Sequence, residues 1–144
     1  MLILNVLTSF HFEPLIPEMT GQENVLVLGA SRNPERYSYR AMVELNKHGH
    51  KTYLIGKGVG PKLLGNEFYD SIDEIQDDII IDTVTIYLSV KNQKQYEAAI
   101  FKLKPKRVIF NPGAENMMLF VKLKQDGIVA VNACTLVMLS IGNY

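Results

Sequence analysis

The chain has 144 residues, 47% of them hydrophobic, enough for one compact domain with a real core and too few for two. Its 15 basic and 15 acidic residues balance, so no global field gathers nucleic acid or an anionic membrane, and any anion site must be local. One cysteine, Cys134, excludes an internal disulfide framework and a multi-cysteine zinc site and fits a reducing cytosol.

The start of the chain stands apart. Leu2-Ile3-Leu4 and Val6-Leu7 are apolar but too short to span a bilayer, and neither Lys nor Arg precedes Arg32, so no secretory leader is expected. The expected location is the cytoplasm, with no membrane contact. Pro14 and Pro17 break this stretch from the polar lead-in Thr20 to Asn24, and Met19 is a candidate start. Residues 1–20 therefore read as an extension and residues 21–144 as the domain. An edge strand at Leu2 to Leu7 is the competing reading.

Val25 to Leu28 is a run of four aliphatic residues, as in a strand covered by helices on both faces, and it runs into Gly29-Ala30-Ser31. Ser38, Ala41, Met42, Leu45 and Gly49 then share one helical stripe, closed by His48-Gly49-His50. Lys51 to Ile55 is the second strand, ended by Gly56, Gly58, Gly60 and Pro61; a short third strand is expected near Glu67 to Tyr69. Ser71-Ile72-Asp73-Glu74 has capping-box spacing and predicts a short helix with Ile72 and Ile75 inward.

Thr83 to Leu88 reads as strand four. Tyr96, Ala99, Ile100 and Leu103 recur at helical spacing up to Pro105. Arg107 to Phe110 is strand five, Asn111-Pro112-Gly113 a turn, and Met117, Phe120 and Val121 the expected inner face of the next helix, which Gly127 stops. Met117 and Met118 read as core packing. Ile128 to Val131 is a last strand and Thr135 to Ile141 a last helix. This alternation predicts an α/β fold of three layers, doubly wound on a mostly parallel sheet of five to six strands in the order 3-2-1-4-5-6. The ligand crevice belongs at the carboxyl ends of strands one and four.

The turn after strand one, Gly29-Ala30-Ser31-Arg32-Asn33-Pro34-Glu35-Arg36-Tyr37-Ser38, lacks the second and third glycines of a dinucleotide fingerprint. It offers backbone amides, a helix start, two serines and the guanidinium groups of Arg32 and Arg36 to a phosphate. Both arginines as solvated loop charges is the plain alternative. Lys57 ends strand two where an NAD-binding domain carries a carboxylate, which favours a ligand with an extra sugar phosphate. A lysine there suits the 2′-phosphate of NADP as well, or it is an ordinary turn residue. Ser89, Asn111, Pro112 and Gly113 end the two strands across the switch point, as ligand contacts or as turn chemistry.

Cys134 precedes a helix start, where a thiolate is stabilised, but no partner histidine lies near it in sequence; buried filler is the plainer reading. His11, His48 and His50 form no metal or triad spacing. No nucleophile, base or metal set is read in this chain.

The run GASRNPERYSYRAMVELNKHGHKTYLIGKG resembles the CoA-binding domain family, small Rossmann-like proteins related to the CoA-binding domain of the succinyl-CoA synthetase α subunit. The pattern Gly29, Ser31, Pro34, Arg36, Ser38 and Tyr39 carries it, and it extends through Phe68-Tyr69-Asp70-Ser71-Ile72, Asn111-Pro112-Gly113 and the Cys134 region. The resemblance implies binding of coenzyme A, or an acyl-CoA, with the pyrophosphate on the loop from Gly29 and Ala30 through Arg36 and the adenosine near Gly56 and Lys57. The related α subunit uses a phosphohistidine from a further domain, so catalysis by this polypeptide alone is not expected. An NADP-dependent oxidoreductase domain, and a CoA-binding subunit of an acyl-CoA synthetase completed by a partner chain, remain the alternatives; a homodimer or an unseen protein partner is left open.

Overall fold

The computed structural model describes residues 21–58 and 60–144. The extension and the edge strand considered for Leu2 to Leu7 lie outside the described residues. From Asn24 onward the chain runs β1 (Asn24–Ser31), α1 (Tyr37–Lys47), β2 (Lys51–Lys57), β3 (Lys62–Leu63), β4 (Asn66–Tyr69) and a 3-10 turn at Ile72–Glu74. It continues with β5 (Thr83–Ile86), α2 (Val90–Gln93), a second 3-10 turn at Lys94–Tyr96, α3 (Glu97–Leu103) and β6 (Arg107–Phe110). Then come α4 (Met117–Gln125), β7 (Val129–Asn132) and α5 (Thr135–Ser140).

One sheet takes the order β3-β4-β2-β1-β5-β6-β7, and every pair in it is parallel except β3 with β4. The six parallel strands thus follow the expected 3-2-1-4-5-6 order, with a seventh strand added at one edge. That strand is only two residues long and turns back through Leu64 (φ 48°) and Gly65 (φ 79°), a two-residue hairpin with both φ values positive. It is too short to show any period in sequence.

The sheet is buried on both faces because its strands alternate between two cores. Leu26 and Leu28 of β1 join Tyr53, Ile55, Val84, Ile86, Val108 and Phe110 under α3 and α4. Val25 and Val27 face the other way, toward Met42 and Leu45 of α1 and Leu139 of α5. A strand with helices on each side cannot alternate apolar with polar, hence the continuous aliphatic run in β1.

Two local expectations are corrected. The inner face of α4 is Leu119 and Leu123, both fully buried, whereas Met117 and Met118 are each 73% exposed and Val121 is also exposed. The buried Asn116 side chain accepts from the Leu119 amide at 3.1 Å, and this cap sets the helix start so that the Leu119/Leu123 pair meets the sheet. Phe120 only flanks the core. At Ser71 the expected short helix is one 3-10 turn without a side-chain cap; Glu74 Oε2 accepts instead from the Asp70 amide at 3.3 Å. Ile72 and Ile75 are buried, as the spacing predicts.

At the amino ends of the strands a buried charged cluster ties β5 and β6 to Glu23, the residue before β1. Arg107 on β6 donates to both Glu23 carboxylate oxygens at 3.3 and 3.4 Å and to the Thr83 hydroxyl at 3.2 Å, while that hydroxyl donates to Glu23 at 3.0 Å. The Tyr144 ring lies against the Arg107 guanidinium, with Cζ 4.4 Å from the ring centroid. Burial pushes the Tyr144 hydroxyl pKa well up, with the Glu23 carboxylate acting the same way and Arg107 opposing it. Two charges taken out of water are tolerated only when further hydrogen bonds satisfy them, and Thr83 supplies those.

Candidate functional site

A cleft of about 640 Å³ opens at the opposite end of the sheet, over the carboxyl ends of β1, β2 and β5. This is where the strand order reverses: α1 leads from β1 to one side of the sheet, and β5 pairs with β1 on the other. Crevices at such switch points are where open α/β sheets take ligands.

Two glycines shape its floor. Gly29 (φ 91°) sits at a bulge between Leu28 and Ala30, and a Cβ there would lie 3.0 Å from the Leu88 side chain and 3.1 Å from the Tyr87 backbone. At Gly56 a Cβ would fall 1.9 Å from the Ala30 carbonyl oxygen, so only glycine lets β2 run this close to the end of β1. The bulge restores register one step later, pairing Ala30 with Gly56 and Ser31 with Lys57. Lys57 therefore stands beside the loop that follows β1 and not at a distance from it.

The loop from Ser31 to Arg36 is stitched to itself. Ser31 Oγ accepts from the Asn33 amide at 3.1 Å, Asn33 Oδ1 accepts from the Glu35 amide at 3.0 Å, and the Arg36 amide donates to the Asn33 carbonyl at 3.0 Å. Arg36 is the extended N-cap of α1 and provides no side-chain cap, which leaves the amides of the first helical turn open to an outside acceptor. The exposed Arg36 and Lys57 and the buried Ser38 all line the cleft.

Of the residues singled out in sequence, Gly29, Ala30, Ser31, Arg36, Ser38, Gly56, Lys57, Ser89 and Pro112 line this cleft. The other four are placed elsewhere. Arg32 turns its guanidinium onto the segment after β2, donating to the carbonyls of Lys62 at 2.9 Å and of Gly60. Tyr39 packs half-buried against the α1 core. Asn111 is buried, donating to Thr85 Oγ1 at 2.7 Å and the Ile86 carbonyl at 2.9 Å and accepting from the Thr135 amide at 2.9 Å. That side chain fastens the turn after β6 to β5 and to the start of α5. The Gly113 amide donates to Glu115 Oε2 at 2.8 Å, closing the same turn.

Sequence reasoning found Leu88, Ser89 and Pro112 across the switch point but missed the rest of the far wall. Tyr87, Leu88, Asn92, Gln95 and Tyr96 line it together with Tyr37 at the start of α1. Tyr96 belongs to the helical stripe that predicts core packing, so periodicity alone hid its second face. Burial pushes the Tyr87 pKa up to about 12, with the Thr135 and Thr85 hydroxyls acting the other way. Tyr87 is therefore a neutral phenol at physiological pH.

This wall is held from beneath by Gln93, which is fully buried and donates to the carbonyls of Leu88 at 2.8 Å and Ala114 at 2.7 Å while accepting from Asn116 at 2.9 Å. All of its polar atoms have partners. Cys134 is half-buried at the start of α5, a helix of six residues. A second cavity, of about 450 Å³, lies far from the loop among Gly21, His48, His50 and Tyr144. Among the described residues, no three His, Cys, Asp or Glu side chains group closely enough to hold a metal ion. No helix among them is long and apolar enough to cross a membrane.

The family model described as a CoA binding domain matches residues 23–140. No curated protein matches the chain. Among solved structures it is similar to an uncharacterized protein at 40% identity and TM-score 0.75, covering 87% of this chain and all, 100%, of that one. A hypothetical protein from Pyrococcus horikoshii OT3 is 28% identical with TM-score 0.73, covering 83% of this chain and 82% of that one. The dinucleotide-forming acetyl-coenzyme A synthetase 1 of Ca. Korarchaeum cryptofilum shares the fold at 18% identity and TM-score 0.63, over 77% of this chain and 25% of the synthetase chain.

Proposed function

Because the chain belongs to the CoA binding domain family, we propose that it binds coenzyme A or an acyl-CoA in the cleft over β1, β2 and β5, as a binding module without chemistry of its own. The observation that carries this reading is the convergence of the uncapped start of α1, Arg36 and Lys57 on one cleft. A helix terminus alone contributes about 0.3–1 kcal/mol to an anion, too little for a polyanion, so cationic side chains must add to it. Arg36 and Lys57 are the two on this wall.

The pyrophosphate takes the loop from Gly29 to Ser38, and the adenosine lies toward Gly56 with its 3′-phosphate near Lys57. A phosphate monoester adds about −1.5 to −2 charge at neutral pH, which an acid in place of Lys57 would repel. Ser89 and Pro112, with Tyr87, Leu88 and Tyr96, then face the remainder of the ligand. The 2′-phosphate of NADP makes the same demand for a cation, so a comparison of ligands decides between them.

The test is a thermal-shift titration with CoA, dephospho-CoA, NADP and NAD, since a ligand at one hundred times its Kd adds about 2.7 kcal/mol. Stabilisation by CoA and not by NADP is expected; stabilisation by NADP alone overturns the reading. Lys57→Glu is expected to weaken CoA by about 1–2 kcal/mol, roughly tenfold, and dephospho-CoA by much less. Equal losses for both would remove Lys57 from the 3′-phosphate.

A further inference from the structure

We propose that Arg32 is a positioning residue that holds the Lys57 side of the cleft in place without touching the ligand; this rests on the reading of Lys57 as the partner of a sugar phosphate. Arg32 follows Ser31 directly, inside the loop that faces phosphate, yet its guanidinium points across to the neighbouring crossover. One side chain there makes three kinds of contact. It donates through Nη1 to the Lys62 carbonyl at 2.9 Å and through Nη2 to the Gly60 carbonyl. It lies over the Phe68 ring of β4, with Cζ 4.4 Å from the centroid. It also packs so tightly on Gly58 that a Cβ at that residue would fall 2.6 Å from Nε.

Among its described residues this segment is rich in glycine, and at its far end the Pro61 carbonyl accepts from the Phe68 amide at 2.8 Å. Gly58 (φ 149°) and Gly60 (φ 113°) occupy backbone conformations that side-chain-bearing residues rarely adopt, and glycine gives such a segment wide conformational freedom when nothing restrains it. The hairpin beyond it has a two-residue strand and the exposed Lys62–Glu67 ion pair at 3.2 Å, a type of contact that contributes little. Lys57 is the last residue of β2 and the immediate neighbour of Gly58. Where the Gly58 backbone sits sets the direction in which Lys57 leaves the strand. Arg32 thus couples the two phosphate-facing segments: the β1–α1 loop carries the arginine, and the arginine sets the stretch next to Lys57. Only a planar fork can take two carbonyls and stack on a ring together, so lysine is not a substitute.

Arg32→Ala and Arg32→Lys separate this role from direct phosphate binding. The first readout needs no ligand: tryptic cleavage after Lys57 and Lys62 in the free protein is expected to speed up by about tenfold or more in both variants, as local opening becomes easier. The second is the preference for CoA over dephospho-CoA, about fivefold for an exposed lysine on a phosphate. It should fall to near parity in both variants while dephospho-CoA binding stays within about twofold of wild type. Loss of both ligands in Arg32→Ala with recovery in Arg32→Lys would mean that the charge itself meets the ligand, and overturns the proposal. An unchanged preference, or unchanged cleavage in folded variants, overturns it as well. A wild type that binds neither ligand sinks the functional reading instead, and cleavage then judges the anchor by itself: faster cutting keeps Arg32 as the hold on this segment.

Discussion

Single residues decide how closely β1 and β2 come together at the cleft. Gly56 is the sharpest case, because the atoms a side chain would meet are the Ala30 carbonyl oxygen at 1.9 Å and Ala30 C and N at 2.8 Å, all backbone. Backbone cannot swing aside as a side-chain tip does. Gly56→Ala is therefore expected to destabilise the protein by about 1–3 kcal/mol through forced separation of the strands. A urea midpoint equal to wild type would show that the strands part without cost. The places of Gly29 and Lys57 on the cleft were legible in sequence, the first because a glycine marks a sharp turn and the second because it ends strand two. Arg32 was legible as a cation but its hydrogen bonds to Gly60 and Lys62 were not, since nothing in the sequence says which of two adjacent crossovers a long side chain will reach for.

At the scale of elements, caps and buried amides rather than periodicity set how the helices behind the far wall dock. In α4 the stripe of Met117, Phe120 and Val121 competes with that of Leu119 and Leu123, and the hydrophobic pattern alone does not separate them. The Asn116 cap does. Its Oδ1 accepts from the Leu119 amide, and its Nδ2 donates to Gln93 Oε1 at 2.9 Å, so the cap also holds the residue that supports Leu88 and Ala114. Asn116→Ala removes a cap worth about 1 kcal/mol and leaves a buried acceptor unsatisfied, for a total loss of about 2–3 kcal/mol. Equilibrium denaturation measures this, and a loss under about 0.5 kcal/mol would mean that the network relaxes around the gap. Gln93 escaped notice in sequence because a lone glutamine on a short helix has no pattern to join.

Across the whole molecule, the cleft and the charged cluster occupy opposite ends of one sheet. The cluster brings a pH dependence with it. His50 Nδ1 accepts from the Glu23 amide at 3.1 Å, and its ring meets that of Tyr144 at 4.9 Å. Burial holds the His50 pKa below its ordinary value of 6.5; the Glu23 carboxylate pulls it up, while His48 and Arg107 push it down. The groups facing it are thus Glu23, His48, Arg107 and Tyr144. A folded-state pKa below the unfolded one means that the unfolded chain binds the extra proton first. The contribution is present above the unfolded value and is lost as pH falls through the lower folded one. The Tm should therefore decline as pH drops from about 7 toward 5, and His50→Gln should flatten that decline. Parallel Tm profiles for the two proteins would assign the dependence elsewhere.

The linear chain by itself determined the class of the fold, the order of its six parallel strands and the loop that lines the cleft. These follow from short-range causes: aliphatic runs that need cover on both faces, glycines where the backbone must turn, and the single handedness of crossovers. It could not determine which side chains finally stand on the cleft. Asn111 turned inward to fasten a loop, Arg32 crossed to a neighbouring segment, and Tyr87, Asn92 and Gln95 came forward, because each of those outcomes depends on contacts between residues far apart in sequence. The Glu23–Arg107 pair, for example, spans 84 positions. Only tertiary packing decides whether a polar side chain faces water, a ligand or another buried group, since an unpaired one inside costs more than a local propensity can offset.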